Sequence, residues 1–116
     1  MGIAAGRLRH RVTFQDPIEA QDTSTGAVEV IDWEDTFPDV PAEIEWSSGR
    51  ESIVSAQPQS VISGTIRVRW RPGMHAKQRI VWTTSAGTRL FNIAGVLPDD
   101  VSGRSFLEIP VVELAN

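Results

Sequence analysis

Polar and apolar residues alternate one by one along most of this chain, and that period restricts the fold more than any other feature. The segment from Arg7 to Phe14 places Leu8, Val12 and Phe14 in one phase and arginines in the other. A period of two is the spacing of side chains on a β-strand, whereas a helix repeats every 3.6 residues. The pattern therefore predicts a protein built from strands, each with one face toward a core.

Six further segments have strand character, and turn sequences separate them. The residues from Gln15 to Gly26 are polar and include a proline, so we expect a connection there that turns the chain back. We predict an all-β fold, a small antiparallel β-barrel or sandwich of six to seven strands, because closing a sheet hides its edges. At 116 residues the chain fits a single domain, 1–116, with residues 1–6 flexible. The six segments are 27–33, 39–46, 65–71, 79–82, 89–96 and 106–114.

The region 47–64 interrupts the alternation. Ser48 and Glu51 have the spacing of a helix capping box, and Pro58 is placed to end a helix of one or two turns. Eighteen residues without a clear strand make a long loop for a small β domain, and such loops are often functional. We expect a long loop here that carries a short helix.

Two further details concern the strands themselves. Trp46 and Trp70 fall in the inward phase of their segments, so we expect both in the core. Pro110 lies within the last segment, and a proline there indicates an edge strand or a bulge because it lacks an N–H donor.

The net charge of −4 conceals a separation of acidic and basic residues along the chain. From Asp16 to Glu51 there are eleven acidic residues and one basic residue, and from Ser52 to Pro98 there are six basic residues and none acidic. A free-standing nucleic-acid-binding domain is usually basic overall. We therefore interpret the separation as acidic strands paired with basic strands, or as opposite patches that orient neighbouring copies.

The residues that most catalytic and metal sites require are absent or isolated. The chain has no cysteine, and its two histidines, His10 and His75, have no metal-ligand spacing. It contains neither a Gly-x-Ser-x-Gly elbow nor a phosphate-binding loop. The pairs Asp99-Asp100 and Glu43 with Glu45 are typical of a turn and of an ion-paired strand face. We predict no catalytic residues, no metal, no cofactor and no enzymatic activity.

Arginines repeat on one face of the segment 65–71. Arg67, Arg69 and Arg71 alternate with apolar residues, which directs all three side chains outward. One interpretation is a basic surface that faces phosphate or an acidic partner. The other is pairing across the sheet with Glu43, Glu45 or Glu29, which we favour. The three arginines remain a candidate basic contact face.

An ordered series of short segments runs from Arg7 to about Glu113. No single segment is specific, but together they resemble the phage head–tail joining proteins, also called head closure, stopper or head–tail adaptor proteins. The chain departs from the family pattern at Val40-Pro41, where a tryptophan is expected, so packing there is expected to differ. The matching segments are Arg7–Pro17, Thr25-Gly26, Trp33, Pro41–Glu45, Ser48–Glu51 with Ala56-Gln57, Ile66–Gly73 and Arg89–Val96.

This resemblance implies a β-barrel subunit that folds in the host cytoplasm and joins a ring at the head–tail interface of the virion. The implied partners are further copies of the chain, a portal or adaptor protein on the head side and a tail protein on the tail side, with contact to packaged DNA in the channel and none to a membrane. It also makes the loop 47–64 the candidate segment that contacts neighbours or the channel. The candidate loop residues are Ser48, Arg50, Glu51, Gln57 and Gln59.

Two alternatives remain at this point. A tail-terminator or other minor tail protein has the same small β architecture and ring assembly. A small β-barrel nucleic-acid-binding domain combines a basic groove with exposed aromatic residues. The acidic balance and the absence of tyrosine oppose the second alternative. Ring copy number, oligomeric state in isolation, host and the channel-facing residues are open at the level of sequence.

Overall fold

The computed structural model describes residues 8–46, 63–99 and 102–114. Within these ranges the chain forms seven strands and no helix, so none of the described segments is a helix with the length and apolar character needed to cross a membrane. The strands are β1 (His10–Gln21), β2 (Val28–Trp46), β3 (Ser63–Arg69), β4 (Arg79–Thr84), β5 (Gly87–Ile93), β6 (Leu97–Pro98) and β7 (Phe106–Glu113).

Six of these strands form a closed antiparallel barrel. Their order around the sheet is β3-β2-β1-β4-β5-β7, and pairing between β7 and β3 closes it. The short β6 pairs with β7 beside the end of β5. The predicted all-β class is confirmed, and of the two predicted architectures the barrel is the one that forms.

Inward-facing residues of all six barrel strands fill the interior. The predicted inward set of the first strand, Leu8, Val12 and Phe14, is buried, which confirms the alternation. Phe14 and Phe91 are the largest fully buried side chains. The remaining core residues are Val40, Ala42, Ile66, Val68, Met74, Ile80, Ile93, Leu107, Ile109 and Val111.

The first two strands are longer than the sequence predicts. The polar stretch after Gln15 continues β1 as far as Gln21, and the two segments predicted at 27–33 and 39–46 form one strand, β2. Pro38 lies within β2, and β2 pairs with β3 only from Ala42 onward, so the proline lies where one edge needs no donor. A β-bulge, in which Asp39 has a φ of 56°, accommodates the register shift between β1 and β2 at this point.

Three other predictions need correction. Trp46 and Trp70 are 41% and 40% exposed, since both lie at ends of the barrel where the core stops. Pro110 lies in a strand that pairs on both sides, neither at an outer edge nor at a bulge. The carbonyl of Pro110 accepts a hydrogen bond from the N–H of Ala94. Its nitrogen faces the same side of β7, at the gap between β5 and β6, where no strand requires a backbone donor.

Several predictions fall on residues that the structure does not describe. The predicted flexible start, 1–6, and all but the last two positions of the loop 47–64, including its short helix, lie outside the described residues. Ser63 and Gly64, assigned to that loop, are the first residues of β3.

Candidate interaction surfaces

The three arginines of the predicted basic face have different environments. Arg67 donates to Glu43 at 2.9 Å and to Glu108 at 3.4 Å, and it lies 3.6 Å from Glu45. Its side chain is only 18% exposed. Burial opposes its charge, but the three carboxylates outweigh that effect and raise the pKa of Arg67 above its ordinary value. Arg67 therefore holds β2, β3 and β7 together, as the cross-strand pairing interpretation predicted.

Arg69 and Arg71 lie beyond this cluster. Arg69 is exposed and makes no ion pair with the described residues. Arg71, past the end of β3, lies over the ring of Phe37 with 5.6 Å between its guanidinium carbon and the ring centroid. The three arginines therefore differ: Arg67 is largely neutralised by carboxylates, Arg71 lies over Phe37, and Arg69 is exposed.

The candidate loop residues Ser48, Arg50, Glu51, Gln57 and Gln59 all lie outside the described residues. The strands that flank them meet at one end of the barrel, where Trp46 pairs in register with Gly64. We call this end the rim.

A cation and several aromatic rings cover the core at the rim. Arg89 forms a two-pronged ion pair with Glu113, with both N–O distances at 2.6 Å. Its guanidinium also lies over Trp46 at 4.7 Å and over Trp82 at 5.6 Å. The ring of His10 packs edge-on against Trp82. The hydrogen bonds between the pair raise the pKa of Arg89 and lower that of Glu113.

At the opposite end, β1 and β2 leave the barrel as a two-stranded ribbon. Pairing of β1 with β4 ends at Gln15, whereas its pairing with β2 continues to Gln21. We call residues 16–34 the arm. A tight turn closes its tip, where the Asp22 carboxylate accepts from the Ser24 N–H and Gly26 has a φ of 75°. The Thr25-Gly26 turn of the sequence analysis is confirmed.

A polar network fixes the base of the arm to the loop between β3 and β4. Asp16 accepts from Gln78 at 3.0 Å and from Thr36, and it lies 2.8 Å from Nε2 of His75. The Thr36 bond, with those from Gln78 and His75, lowers the pKa of Asp16. His75 is exposed, and its imidazole borders this carboxylate.

A second set of contacts joins the base of the arm to β4. Arg79 lies over the Trp33 ring at 4.4 Å and donates to Gln15 at 2.7 Å, and Gln15 donates to Asp35 at 2.8 Å. The base therefore has a defined direction relative to the barrel.

The outer part of the arm exposes apolar side chains. Val28, Val30 and Ile31 are 59%, 49% and 62% exposed. The arm also carries only one sign of charge, since no lysine or arginine occurs between Val12 and Gly49. This surface was missed in the sequence analysis because the residues 15–26 were interpreted as a connection. The run of β-branched residues at 28–31 was the available signal.

Within the described ranges, no group of three or more His, Asp or Glu side chains is placed to hold a metal ion.

Comparison with known proteins gives one family match. A family model described as phage head completion protein matches residues 3–114. No curated protein gives a significant match.

Two solved structures resemble this chain over nearly their whole lengths. A protein from Shigella flexneri 2a, determined in solution, is 32% identical with a TM-score of 0.68, and the match covers 98% of this chain and 99% of that one. A chain from the virion of a native gene transfer agent particle is 22% identical with a TM-score of 0.69, covering 93% and 96%. At that identity the second likeness concerns the fold alone.

Proposed function

Because this chain belongs to the phage head completion protein family, we propose that it is a non-catalytic subunit of the head–tail connector. In this role it closes the DNA-filled head and provides the surface to which the tail attaches. The observation that carries the proposal is the family match, which extends over residues 3–114. Family membership supports the coarser role, a structural component of a phage particle, independently of the connector position.

The arrangement of surfaces is consistent with a subunit that assembles. A ring requires two different patches on each subunit, because each copy contacts one neighbour on either side. The acidic arm and the exposed Arg69 lie on different parts of the chain and carry opposite charge. A portal or adaptor protein on the head side and a tail protein on the tail side are the proposed further partners.

We retain the loop 47–64 as the proposed segment for contact with neighbours or the channel. Its residues Ser48, Arg50, Glu51, Gln57 and Gln59 are candidates by resemblance. Support comes from the rim, where the chain leaves β2 and re-enters β3 beside exposed Trp46.

The charge distribution disfavours the nucleic-acid-binding alternative. Arg67, the centre of the predicted basic face, is engaged by three carboxylates. Single-strand binders instead need cations along a groove with exposed aromatic rings.

The test is electron microscopy of lysates from a phage with a nonsense mutation in this gene, grown in parallel in a suppressing host as the control. We expect separate heads and complete tails, which purified protein joins into infectious particles. Leaking heads in the same lysate would assign the protein to closure in particular. Lysates without finished tails, or with joined but defective particles, would overturn the connector role and favour a tail protein.

A further inference from the structure

We propose that the arm of one copy docks on a basic corner of a second copy, formed by Arg69, Trp70 and Arg104. The inference rests on the proposed function, because it specifies the contact between neighbours in the ring. The corner is defined by backbone geometry: the N–H of Trp70 donates to the carbonyl of Ser105 at 3.3 Å, which places Trp70 beside the segment that carries Arg104.

The arm has the surface of an element that lacks its partner. A two-stranded ribbon is at best marginally stable in water and usually needs a third strand or another surface against it. In the described part of the chain, the outer edge of β1 has no partner strand beyond Gln15. The outer edge of β2 has none up to and including Pro41. Val28, Val30 and Ile31 are each about half exposed or more, and adjacent exposed apolar groups of this kind mark a contact surface.

The charges of the arm define the chemistry of that partner. Between Val12 and Gly49 every charged side chain is acidic. The arm residues concerned are Asp16, Glu19, Asp22, Glu29, Asp32 and Glu34. An apolar strip with an acidic border fits a surface that presents arginine beside an apolar or aromatic group.

The basic corner has this composition. Arg69 and Arg104 are exposed, and neither side chain forms an ion pair with the described residues. Trp70 follows Arg69 in the chain, its backbone bonds Ser105 next to Arg104, and it is 40% exposed. Arginine and tryptophan are the residue types most enriched at the centre of protein interfaces. The corner therefore complements the arm in charge and in apolar character.

The geometry favours contact between copies. The base of the arm is fixed by Asp16 and Trp33, so the ribbon points in a set direction away from its own barrel. Arm and corner are different surfaces, and a contact between different surfaces propagates from copy to copy and forms a ring when the rotation between copies closes. Electrostatic complementarity of this kind selects the partner and its orientation.

The absence of cysteine makes a thiol cross-linking test direct. Phage that lack the gene are grown in cells that supply two single-cysteine variants, Val30→Cys and Arg104→Cys, and the purified particles are treated with a short bis-maleimide linker. Because each copy has only one thiol, a cross-linked dimer reports contact between copies. The matched control replaces Arg104→Cys by Ser85→Cys, which lies in the exposed turn between β4 and β5.

We expect the dimer with the Val30 and Arg104 pair and not with the Val30 and Ser85 pair. Particles that contain both variants yet give no dimer, or give as much with Ser85→Cys, would overturn the arm contact and leave the proposed function intact. If the wild-type protein were absent from particles, the proposed function would be refuted. The arm contact, which rests on that function, would be refuted too.

Charge exchange provides a second readout that does not depend on the linker. Glu29→Arg alone and Arg69→Glu alone should each lower the yield of infectious particles by at least about tenfold, because like charges then face each other. The double variant restores opposite charge at every contact, so its yield should recover. Single variants with wild-type yield, or a double variant no better than either single variant, would overturn the contact.

Discussion

At the scale of single residues, one carboxylate forms hydrogen bonds that hold the segment preceding β7. Asp99 is 5% exposed and accepts N–H bonds from Ser102 at 2.8 Å, Ser105 at 2.7 Å and Phe106 at 3.3 Å. These donors hold the pKa of Asp99 well below its usual range. The sequence predicts that Asp99 lies in a turn and accepts hydrogen bonds from backbone N–H groups, and the structure confirms that prediction.

The lowered pKa of Asp99 predicts a specific pH dependence. A carboxylate with a depressed folded-state pKa contributes its full stability above the unfolded-state pKa of about 3.9 and loses it as pH falls through the folded-state value. We expect the free energy of unfolding of wild type to exceed that of Asp99→Asn at pH 7, with the gap narrowing below about pH 4. Urea unfolding at a series of pH values measures both, and Ser102→Ala, which removes one hydroxyl donor, should give a smaller gap.

A second residue-scale prediction concerns Gly64. A Cβ at this position lies 2.6 Å from the backbone oxygen of Glu45, a distance that side chains do not tolerate. Gly64→Ala should lower the free energy of unfolding by about 1–3 kcal/mol, as overpacking typically does. The matched control is Gly95→Ala, where nothing lies within 4 Å. Equal urea midpoints for the two variants would show that β2 and β3 can separate at the rim without cost.

At the scale of elements, ion pairs and stacked rings decide which strands are tied together. Arg67 joins β2, β3 and β7, and Arg89 joins β5 to β7 while covering Trp46 of β2. Both arginines are partly buried and have more than one partner. Such arrangements are stronger than isolated surface pairs, whose contribution is usually below about 1 kcal/mol.

The Arg89 and Glu113 pair gives the element-scale prediction. Arg89→Lys keeps the charge but loses the two-pronged bond and the planar stack on two tryptophans, so we expect a loss of about 1 kcal/mol. A double-mutant cycle with Glu113→Gln measures the coupling directly. Additive effects of the two changes would mean that the two-pronged bond adds nothing over the single charge of a lysine.

At the scale of the whole molecule, the barrel and the arm are separable. The arm contributes no residue to the buried core, whose β1 and β2 members are Val12, Phe14, Val40 and Ala42. Its length is about 20 Å for six residues of extended strand. The barrel therefore supplies stability, and the arm is the element available for assembly.

Shortening the arm tests this separation. Replacement of residues 19–31 by Asn-Gly, which forms a tight hairpin turn, leaves every β1–β4 pair in place. We expect a cooperative urea transition with a midpoint close to that of wild type, and failure to restore infectivity to phage that lack the gene. A shortened protein that unfolds without a cooperative transition would show that the arm belongs to the folding unit of the barrel.

The sequence by itself determined the all-β class and the inward set of the first strand, because a period of two assigns each residue to a face whatever its neighbours are. It also determined the turn at Thr25-Gly26, since glycine readily adopts the positive φ that Gly26 has there. It predicted the pairing of Arg67 with Glu43 and Glu45 from opposite charge on facing strands.

Only the tertiary structure decided where strands end and which neighbours they have. Pro110 predicted an edge strand or a bulge, but its missing donor faces a position that needs none. Trp46 and Trp70 have core phase, yet the barrel ends at both, so phase alone did not measure burial. The arm is the clearest case: its polar residues 15–26 predicted a connection, yet those up to Gln21 continue β1 and pair with β2. Among the described strands none pairs with the outer edges of the arm, and this follows from contacts far apart in the chain.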